Sequence, residues 1–334
     1  MPFATLNSGK IFEVQKGTSI LDAASNAKIQ IPFGCRAGRC KVCKCKVLVG
    51  NTYPILREDG LSDNEKLNGW ILSCSRSIES DVILAVEDLS EFKLPIQKTF
   101  PCKIAKITKL SSKVIQVFLK LPPTALFDFF PGQYIELISH NGVRRSYSVA
   151  NSNVAGNGIE LHIGLVHGGV MSNYWFNSAK ENDLLMLYGP LGTFFLRNLT
   201  GLDLVFLATG TGIAPVKAML ESFVNLASEE LPKSVTVFWG GRFLEDFYID
   251  ISKVSIEKFR FVPVLSRPKN SWLSSVGYVQ DVFLSSKPDL TRTVVFACGS
   301  DAMIRDARVV LLGEGLPDTR FFSDAFVPSA PSAR

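Results

Sequence analysis

The stretch Gly34–Cys45, GCRAGRCKVCKC, most limits what this chain can be, because it packs four of the seven cysteines into twelve residues. Cys35, Cys40 and Cys43 are spaced C-x4-C-x2-C, and Cys74 in ILSCSRS lies well downstream. Two bridged irons need four thiolates, and a tight loop that supplies three leaves the fourth to arrive from elsewhere in the fold. The spacing is that of a plant-type [2Fe-2S] site. Gly34, Ala37 and Gly38 are small enough to let backbone NH groups approach the sulfurs and stabilise an anionic cluster. Structural zinc is the non-redox alternative, but it favours paired C-x2-C knuckles, and Cys74 has no cysteine or histidine beside it. A Rieske centre needs two histidines, and His140, His162 and His167 all lie outside this segment. Cys45, two residues beyond Cys43 on a strand-like run, reads as a buried thiol.

An odd number of cysteines crowded at one end fits a reducing compartment better than a disulfide framework. With 334 residues, 46% of them hydrophobic, the chain is long enough for two or three domains. No apolar run is long enough for a bilayer, and MPFATLNSGK lacks a signal-peptide pattern, so a soluble cytoplasmic protein without a membrane partner is expected. The net charge of +5 is modest, and no basic run interleaves with aromatics as a nucleic-acid groove requires. Charge balances over Met1–Phe92, yet five cations and no carboxylate fall between Cys35 and Lys46.

Residues 1–92 read as a small sheet crossed by one helix: strands PFATLN and IFEVQ, a helix capped near Thr18 or Ser19 with Asp22 in its first turn, then strands CKVLVG and DVILAV. The proline-containing EFKLPIQKTFP supplies a linker, placed at 93–99. From 100 to 199 the signals are strands with turn chemistry, KIAKITKL, VIQVFLKL, QYIELIS, VRRSYSVA and IELHIGLV, with His140-Asn141-Gly142 marking a tight hairpin. An antiparallel, closed barrel fits. From 200 to 334 apolar strands alternate with helices, which implies a parallel sheet covered on both faces.

Three further motifs carry chemistry. In RRSYSVAN, strand alternation puts Arg145 and Tyr147 on one face with Ser148 adjacent, a set able to hold a phosphate, a flat ring and a ring heteroatom; the same residues also suit an ordinary exposed strand. In HGGVMSNYWF, Gly169 and Ser172 precede a short helix whose free NH groups suit a pyrophosphate, or simply mark a capped start. LATGTGIAPVKAML is a strand, a glycine loop and a helix with Pro215 in its first turn. Gly210 and Gly212 permit close backbone approach to phosphates at the first strand of the α/β segment, although Pro215 takes the last glycine's place in the dinucleotide fingerprint. Cys298-Gly299 ends a later strand facing the same crevice; a buried core cysteine is the alternative.

These motifs in this order resemble the ferredoxin-NADP reductase superfamily with a fused N-terminal ferredoxin, over essentially the whole chain. PPTALFDFFPGQYIELISHNGVRRSYSVANS, GPLGTFFLR and FFSDAF look most like the CDP-6-deoxy-3,4-glucoseen reductases of 3,6-dideoxysugar biosynthesis. Phenol hydroxylase and other oxygenase reductases share the same order. The resemblance implies a β-grasp [2Fe-2S] ferredoxin, an antiparallel β-barrel for FAD and a Rossmann-like α/β domain for NAD(P). It assigns the cluster to Cys35, Cys40, Cys43 and Cys74. Within Arg145, Ser146, Tyr147 and Ser148, it gives Arg145 the FAD phosphate, Tyr147 the isoalloxazine face and Ser148 a hydrogen bond near N5. Gly169, Val170, Met171 and Ser172 would hold the pyrophosphate. Gly210, Thr211, Gly212 and Pro215 would cradle the dinucleotide. Cys298 would lie by the nicotinamide with Gly299 next to it, and Phe326 would cover the flavin, with Asp324 orienting that end. Many relatives have glycine where this chain has Lys41, which leaves the loop's conformation open. In GRFLEDFY, Arg242 suits a 2'-phosphate whereas Glu245 and Asp246 suit ribose hydroxyls; NADH is favoured over NADPH. The implied acceptor is a separate protein, a pyridoxamine-phosphate sugar dehydrase or an oxygenase component, docking on the basic loop. A zinc protein transferring hydride directly to a small substrate is the remote alternative, and no His or Tyr-Lys proton relay supports it.

Overall fold

The computed structural model describes residues 1–139, 141–152, 158–252, 254, 256–269 and 271–326. The chain divides into two compact units, Met1–Pro95 and Ile96–Arg334. The first contains β1 (Phe3–Leu6), β2 (Ile11–Glu13), α1 (Ile20–Asn26), β3 (Lys44–Val49), β4 (Thr52–Pro54), α2 (Asp63–Leu67), β5 (Trp70–Leu72), β6 (Arg76–Ile78) and β7 (Val82–Ala85). Its main sheet runs β2-β1-β7-β3-β5, with β4 and β6 as a separate ribbon. Only the β1–β7 pair is parallel among the pairings of this unit's described residues. Ser19 starts α1, its side chain accepting from the Asp22 NH at 3.0 Å; a short oxygen there satisfies an NH that the helix itself leaves unpaired. Ile20, Leu21, Ala23 and Ala24 of α1 are buried in one core with Leu6, Leu72 and Leu84. This helix on a mixed sheet is the β-grasp expected, and no regular element forms between α1 and β3, where the cysteine loop lies.

The second unit opens with β8 (Lys98–Lys109), β9 (Val114–Lys120), β10 (Tyr134–Ile138), β11 (Arg144–Ser148), β12 (Ile159–Gly164), α3 (Val170–Asn173) and β13 (Leu184–Leu191). The strands pair antiparallel in the order β11-β10-β13-β8-β9-β12. The two edge strands approach each other through a Val149–Leu161 bridge, with the Ala150 NH donating to the Glu160 carbonyl at 2.8 Å. The sheet therefore curls into a barrel around Ile104, Val117, Leu137 and Leu187. The β10–β11 hairpin closes tightly as anticipated: the Gly142 NH donates to the Ser139 carbonyl at 2.9 Å and the Ser139 NH to the Val143 carbonyl at 3.0 Å, with Gly142 at φ 77; His140 lies outside the described residues.

There follow β14 (Asp203–Thr209), α4 (Ile213–Ser222), β15 (Ser234–Gly241), β16 (Phe259–Leu265), β17 (Ser275–Val276), α5 (Val279–Ser285), β18 (Thr293–Ser300), α6 (Asp301–Gly313) and β19 (Phe321–Phe326). The sheet is all parallel, in the order β17-β16-β15-β14-β18-β19. From β14 the chain steps outward one way through β15 and β16, then returns to the other side for β18 and β19. Loops after β14 and β18 thus diverge, and the crevice between them is where α/β sheets bind ligands.

Candidate functional site

In the first unit the four expected thiols stand in two pairs. The Cys35 NH donates to Cys40 Sγ at 3.3 Å, and the NH groups of Cys40 and Ala37 donate to Cys35 Sγ at 3.4 Å each. Cys43 Sγ and Cys74 Sγ are 3.3 Å apart. The Cys40 thiol's hydrogen bond, working against burial, brings Cys35 down to about 5. The Cys43 thiol does the same for Cys74, to about 7, while Cys40 and Cys43 are pushed up by the same pairings and by burial. Each pair releases one proton readily, so the donor set is biased towards thiolate. Among the described residues no three His, Cys, Asp or Glu side chains converge on a single-ion site. Two thiols per iron is what a binuclear cluster requires, and a mononuclear tetrahedral zinc does not fit this pairing.

The loop's backbone explains its small residues. Gly38 has φ +71, and a Cβ there would stand 2.0 Å from the Arg57 carbonyl oxygen. Lys41, whose effect on the loop the sequence left open, also sits in the left-handed region at φ 63. The loop keeps the glycine-type conformation, at a cost of about 1–2 kcal/mol for a residue with a Cβ. Lys41 and Lys44 lie 3.0 and 3.1 Å from the two oxygens of Glu65 on α2. Burial raises the Glu65 carboxyl, but the Ser62 NH and these two ammonium groups outweigh it and hold it at about 2. Arg36 is 2.9 Å from Asp22 and stacks over Phe33. The basic run is thus partly neutralised by acids from α1 and α2, which sequence spacing could not reveal.

Cys74 is delivered by a clamp that was also missed. Glu58, only 8% exposed, accepts from the Leu72 NH and from Arg76 Nε, both at 3.0 Å. Arg76 Nη2 lies 3.0 Å from the same carboxylate. The turn carrying Cys74 is gripped on both sides, and the Ser73 NH ties it to the Cys43 carbonyl at 3.0 Å.

In the second unit, β11 has the burial alternation that places Arg145 and Tyr147 on one face and exposes Ser146. The Tyr147 hydroxyl accepts from Trp175 Nε1 at 2.9 Å, so its ring is fixed before any ligand arrives. Ser148 Oγ donates to Asp324 Oδ2 at 3.2 Å. Asp324 belongs to β19 and pairs in register with Cys298 of β18, which brings the barrel's strand end against the crevice of the parallel sheet. The Cys298 thiol is fully buried, 4.0 Å from Asp324 Oδ2; burial first, then that carboxylate, push its pKa well up. It is a neutral thiol in the core behind Asp324. Phe326 is 38% exposed.

The glycine loop is built on close approach. A Cβ on Gly212 would meet the Cys298 carbonyl oxygen at 2.2 Å, and one on Gly299, at φ +130, would meet Thr209 Oγ1 at 2.4 Å. Gly210 has φ +55 and its carbonyl accepts from Trp239 Nε1 at 3.1 Å. Pro215 is buried within α4's first turn. In α3 the Asn173 NH is the one that closes back onto Gly169 O, at 2.8 Å. Met171 and Ser172 are buried, with Ser172 Oγ accepting from the Val166 NH at 2.8 Å. The Gly169 NH donates to the Val166 carbonyl at 3.1 Å, so what the start of α3 offers a ligand is the first-turn backbone NH groups of Val170–Ser172 rather than side chains. Arg242 is exposed at the end of β15, while Asp246 accepts from the Arg242 and Phe243 NH groups at 2.8 and 3.1 Å. One Asp246 oxygen is thus engaged in its own turn, while the other, Oδ1, lies 3.9 Å from Lys113 Nζ.

A cysteine cradle for a binuclear cluster, a barrel with an aromatic-and-arginine strand, and a parallel sheet with a glycine crevice define an iron-sulfur flavoprotein of the electron-transferring kind. Family models agree along the chain: a 2Fe-2S iron-sulfur cluster binding domain at residues 4–78, an oxidoreductase FAD-binding domain at 101–196 and an oxidoreductase NAD-binding domain at 206–309. The chain is 40% identical to the CDP-6-deoxy-L-threo-D-glycero-4-hexulose-3-dehydrase reductase of Yersinia pestis, covering 96% of this chain and 97% of that one. It is 29% identical to the terephthalate 1,2-dioxygenase reductase component 1 of a Comamonas species, over 95% of each. Among solved structures, the Amycolatopsis cytochrome P450 reductase GcoB superposes with a TM-score of 0.74 at 26% identity, covering 98% of this chain and 99% of that one. The chain belongs to the ferredoxin-fused branch of the ferredoxin-NADP reductase superfamily and is an NAD(P)H-dependent oxidoreductase using FAD and a [2Fe-2S] cluster. Its relatives are reductase components that serve a partner dehydrase or oxygenase. No helix among the described residues is long and apolar enough to cross a membrane.

Proposed function

We propose that this chain is the electron donor of a CDP-6-deoxyhexulose 3-dehydrase, the pyridoxamine-phosphate sugar dehydrase anticipated from the sequence. The observation that carries this reading is 40% identity across all three domains to a reductase of that dehydrase, against 29% to the terephthalate dioxygenase reductase. In this reading residues 1–92 hold the cluster, 93–99 link, 100–199 hold FAD and 200–334 hold the nicotinamide coenzyme, NADH by preference. Held there, FAD would supply hydride acceptance from a dihydronicotinamide and the cluster would supply one-electron delivery.

In this reading each residue takes the part that the resemblance implies, supported by its position. Arg145 neutralises FAD phosphate and Tyr147, held by Trp175, packs against the ring. Ser148, held by Asp324, presents its hydroxyl near N5. The backbone of Gly169–Ser172 takes the pyrophosphate. Gly210, Thr211, Gly212 and Pro215 shape the dinucleotide site, with Gly299 admitting the close packing of β18 on Thr209. Arg242 flanks the ribose, Cys298 lies by the nicotinamide behind Asp324, and Phe326 covers the flavin. The acceptor docks over the cluster loop, where the charge left after Glu65 and Asp22 have taken their share favours an acidic surface. The test is reconstitution: NADH, this protein and either a dehydrase with its substrate or an iron oxygenase component. Sugar deoxygenation at a rate far above the oxygenase reaction is expected. Turnover with the oxygenase alone overturns the assignment.

A further inference from the structure

A buried polar network joins the barrel to the parallel sheet within the second unit, and none of Glu160, His162, Lys217 and Tyr248 is among the residues assigned to a cofactor. Glu160 on β12 is 5% exposed. Its Oε1 accepts from His162 Nε2 at 2.8 Å and from Gln116 Nε2 at 2.7 Å, and its Oε2 accepts from Lys217 Nζ at 2.9 Å. Lys217 lies on α4, the helix that begins directly after the glycine loop. Its ammonium also donates to the Ala150 carbonyl at 3.0 Å and pairs with Glu221 at 2.7 Å. Glu221 in turn accepts from the Ser152 NH at 3.0 Å. Ala150 and Ser152 continue the chain just beyond Ser148 of β11. On the other side His162 Nδ1 lies 3.1 Å from the Tyr248 hydroxyl. With Nε2–H given to the carboxylate, Nδ1 is left to accept from Tyr248 O–H. The Tyr248 ring is edge-on to Trp239 at 5.3 Å, and Trp239 Nε1 holds the Gly210 carbonyl.

Two chains of directional contacts therefore start at Glu160 and end on the glycine loop and on the helix that follows it, while Glu160 itself is fixed to the strand ends beside the flavin motif. Its own NH is held by Asn151 Oδ1 at 2.9 Å. An apolar seam would tolerate sliding, whereas a buried carboxylate with three donors holds its partners only in one arrangement. We propose that Glu160, His162, Lys217 and Tyr248 form a positioning latch that fixes the nucleotide loop relative to the flavin strand and so sets the hydride-transfer geometry. The inference rests on the reading that Arg145–Ser148 holds FAD and Gly210–Pro215 the dinucleotide.

The test is anaerobic rapid mixing of holoprotein with NADH and with 4-deuterated NADH, for wild type, Glu160→Gln, Lys217→Met, Lys217→Arg and Tyr248→Phe. Misplacement of reacting atoms by about 1 Å costs up to about 100-fold. Accordingly, Glu160→Gln and Lys217→Met should slow flavin reduction at saturating NADH by about tenfold or more. The primary isotope effect should rise, while the NADH dissociation constant and the FAD content per cluster change little. Lys217→Arg, which keeps the charge, should recover most of the rate, and Tyr248→Phe, which removes one hydroxyl and keeps the ring, should give a smaller slowing. The double variant Glu160→Gln with Lys217→Met should be no slower than the worse single variant. Limiting rates within twofold of wild type in the flavin-loaded Glu160→Gln, Lys217→Met and Tyr248→Phe proteins overturn the latch, as does a loss seen only as lost flavin or weaker NADH binding. A wild-type protein whose flavin NADH does not reduce overturns the underlying site reading instead, and the two failures are thereby told apart.

Discussion

At the scale of single residues, the site depends on positions where a side chain has no room or must adopt a disfavoured conformation. Gly38 is the sharpest case, since its Cβ would lie 2.0 Å from backbone. Gly38→Ala should yield protein with FAD but with most of the cluster lost, measured as iron and acid-labile sulfide per flavin. Lys41→Gly, by contrast, relieves the left-handed strain at φ 63 while giving up one of two ion pairs to Glu65. It should retain its cluster. On the nucleotide side, Gly212→Ala forces the loop away from the Cys298 carbonyl. A rise of about tenfold or more in the KM for NADH is expected, with FAD and cluster unchanged in the visible spectrum. Tyr147→Ala removes both the ring and the hydroxyl held by Trp175; FAD should be lost on gel filtration, and undiminished flavin content would remove Tyr147 from the site.

At the scale of elements, patterning made some parts of this structure readable and hid others. The cysteine spacing, the cap at Ser19 and strands β8–β12 follow from local chemistry and from alternation. LLMLYGPL, now β13, holds a Gly189-Pro190 dipeptide of the kind that marks turns, yet six register pairs such as Leu187 with Phe100 bind it to β8 in the barrel's middle. FFSDAF, now β19, carries Ser323 and Asp324, which depress strand propensity; pairing with β18 overrides that. The Glu160 network was invisible because its members lie at 116, 160, 162, 217 and 248 and meet only after the barrel and sheet pack. That network has a pH signature. Burial raises the Glu160 carboxyl, but the hydrogen bond from His162 and the charge of Lys217 dominate and bring it from 4.5 to about 2. A depressed folded-state pKa stabilises fully above about 4.5, and that contribution is lost as pH falls towards 2. Its size is at most about 3.5 kcal/mol, from about 1.4 kcal/mol per pH unit. Urea unfolding of the second unit's signal should therefore weaken steeply between pH 4.5 and 2, and Glu160→Gln should flatten that part of the curve.

At the scale of the whole molecule, three modules with separate cores perform one task. Two thiol pairs in the first unit and a barrel-and-sheet crevice in the second let one chain convert the two-electron chemistry of a nicotinamide into single-electron delivery. The cluster loop's charge bears on the last step. With Arg36 tied to Asp22 and Lys41 and Lys44 tied to Glu65, the residual field is weaker than five cations suggest, and salt should screen it over about 8–10 Å. Arg36→Glu with Arg39→Glu should slow delivery to the acceptor protein several-fold at low ionic strength and much less at high, while NADH–ferricyanide turnover stays normal. The central claim, that NADH reduces a bound flavin and through it a [2Fe-2S] cluster on the same chain, is tested most directly by an anaerobic NADH titration followed by absorption and electron paramagnetic resonance. About one and a half equivalents of NADH should bleach both the flavin and iron-sulfur bands and raise the signal of a reduced binuclear cluster, since FAD takes two electrons and the cluster one. A colourless protein containing zinc, or a flavin that is reduced while the cluster stays oxidised, would contradict it.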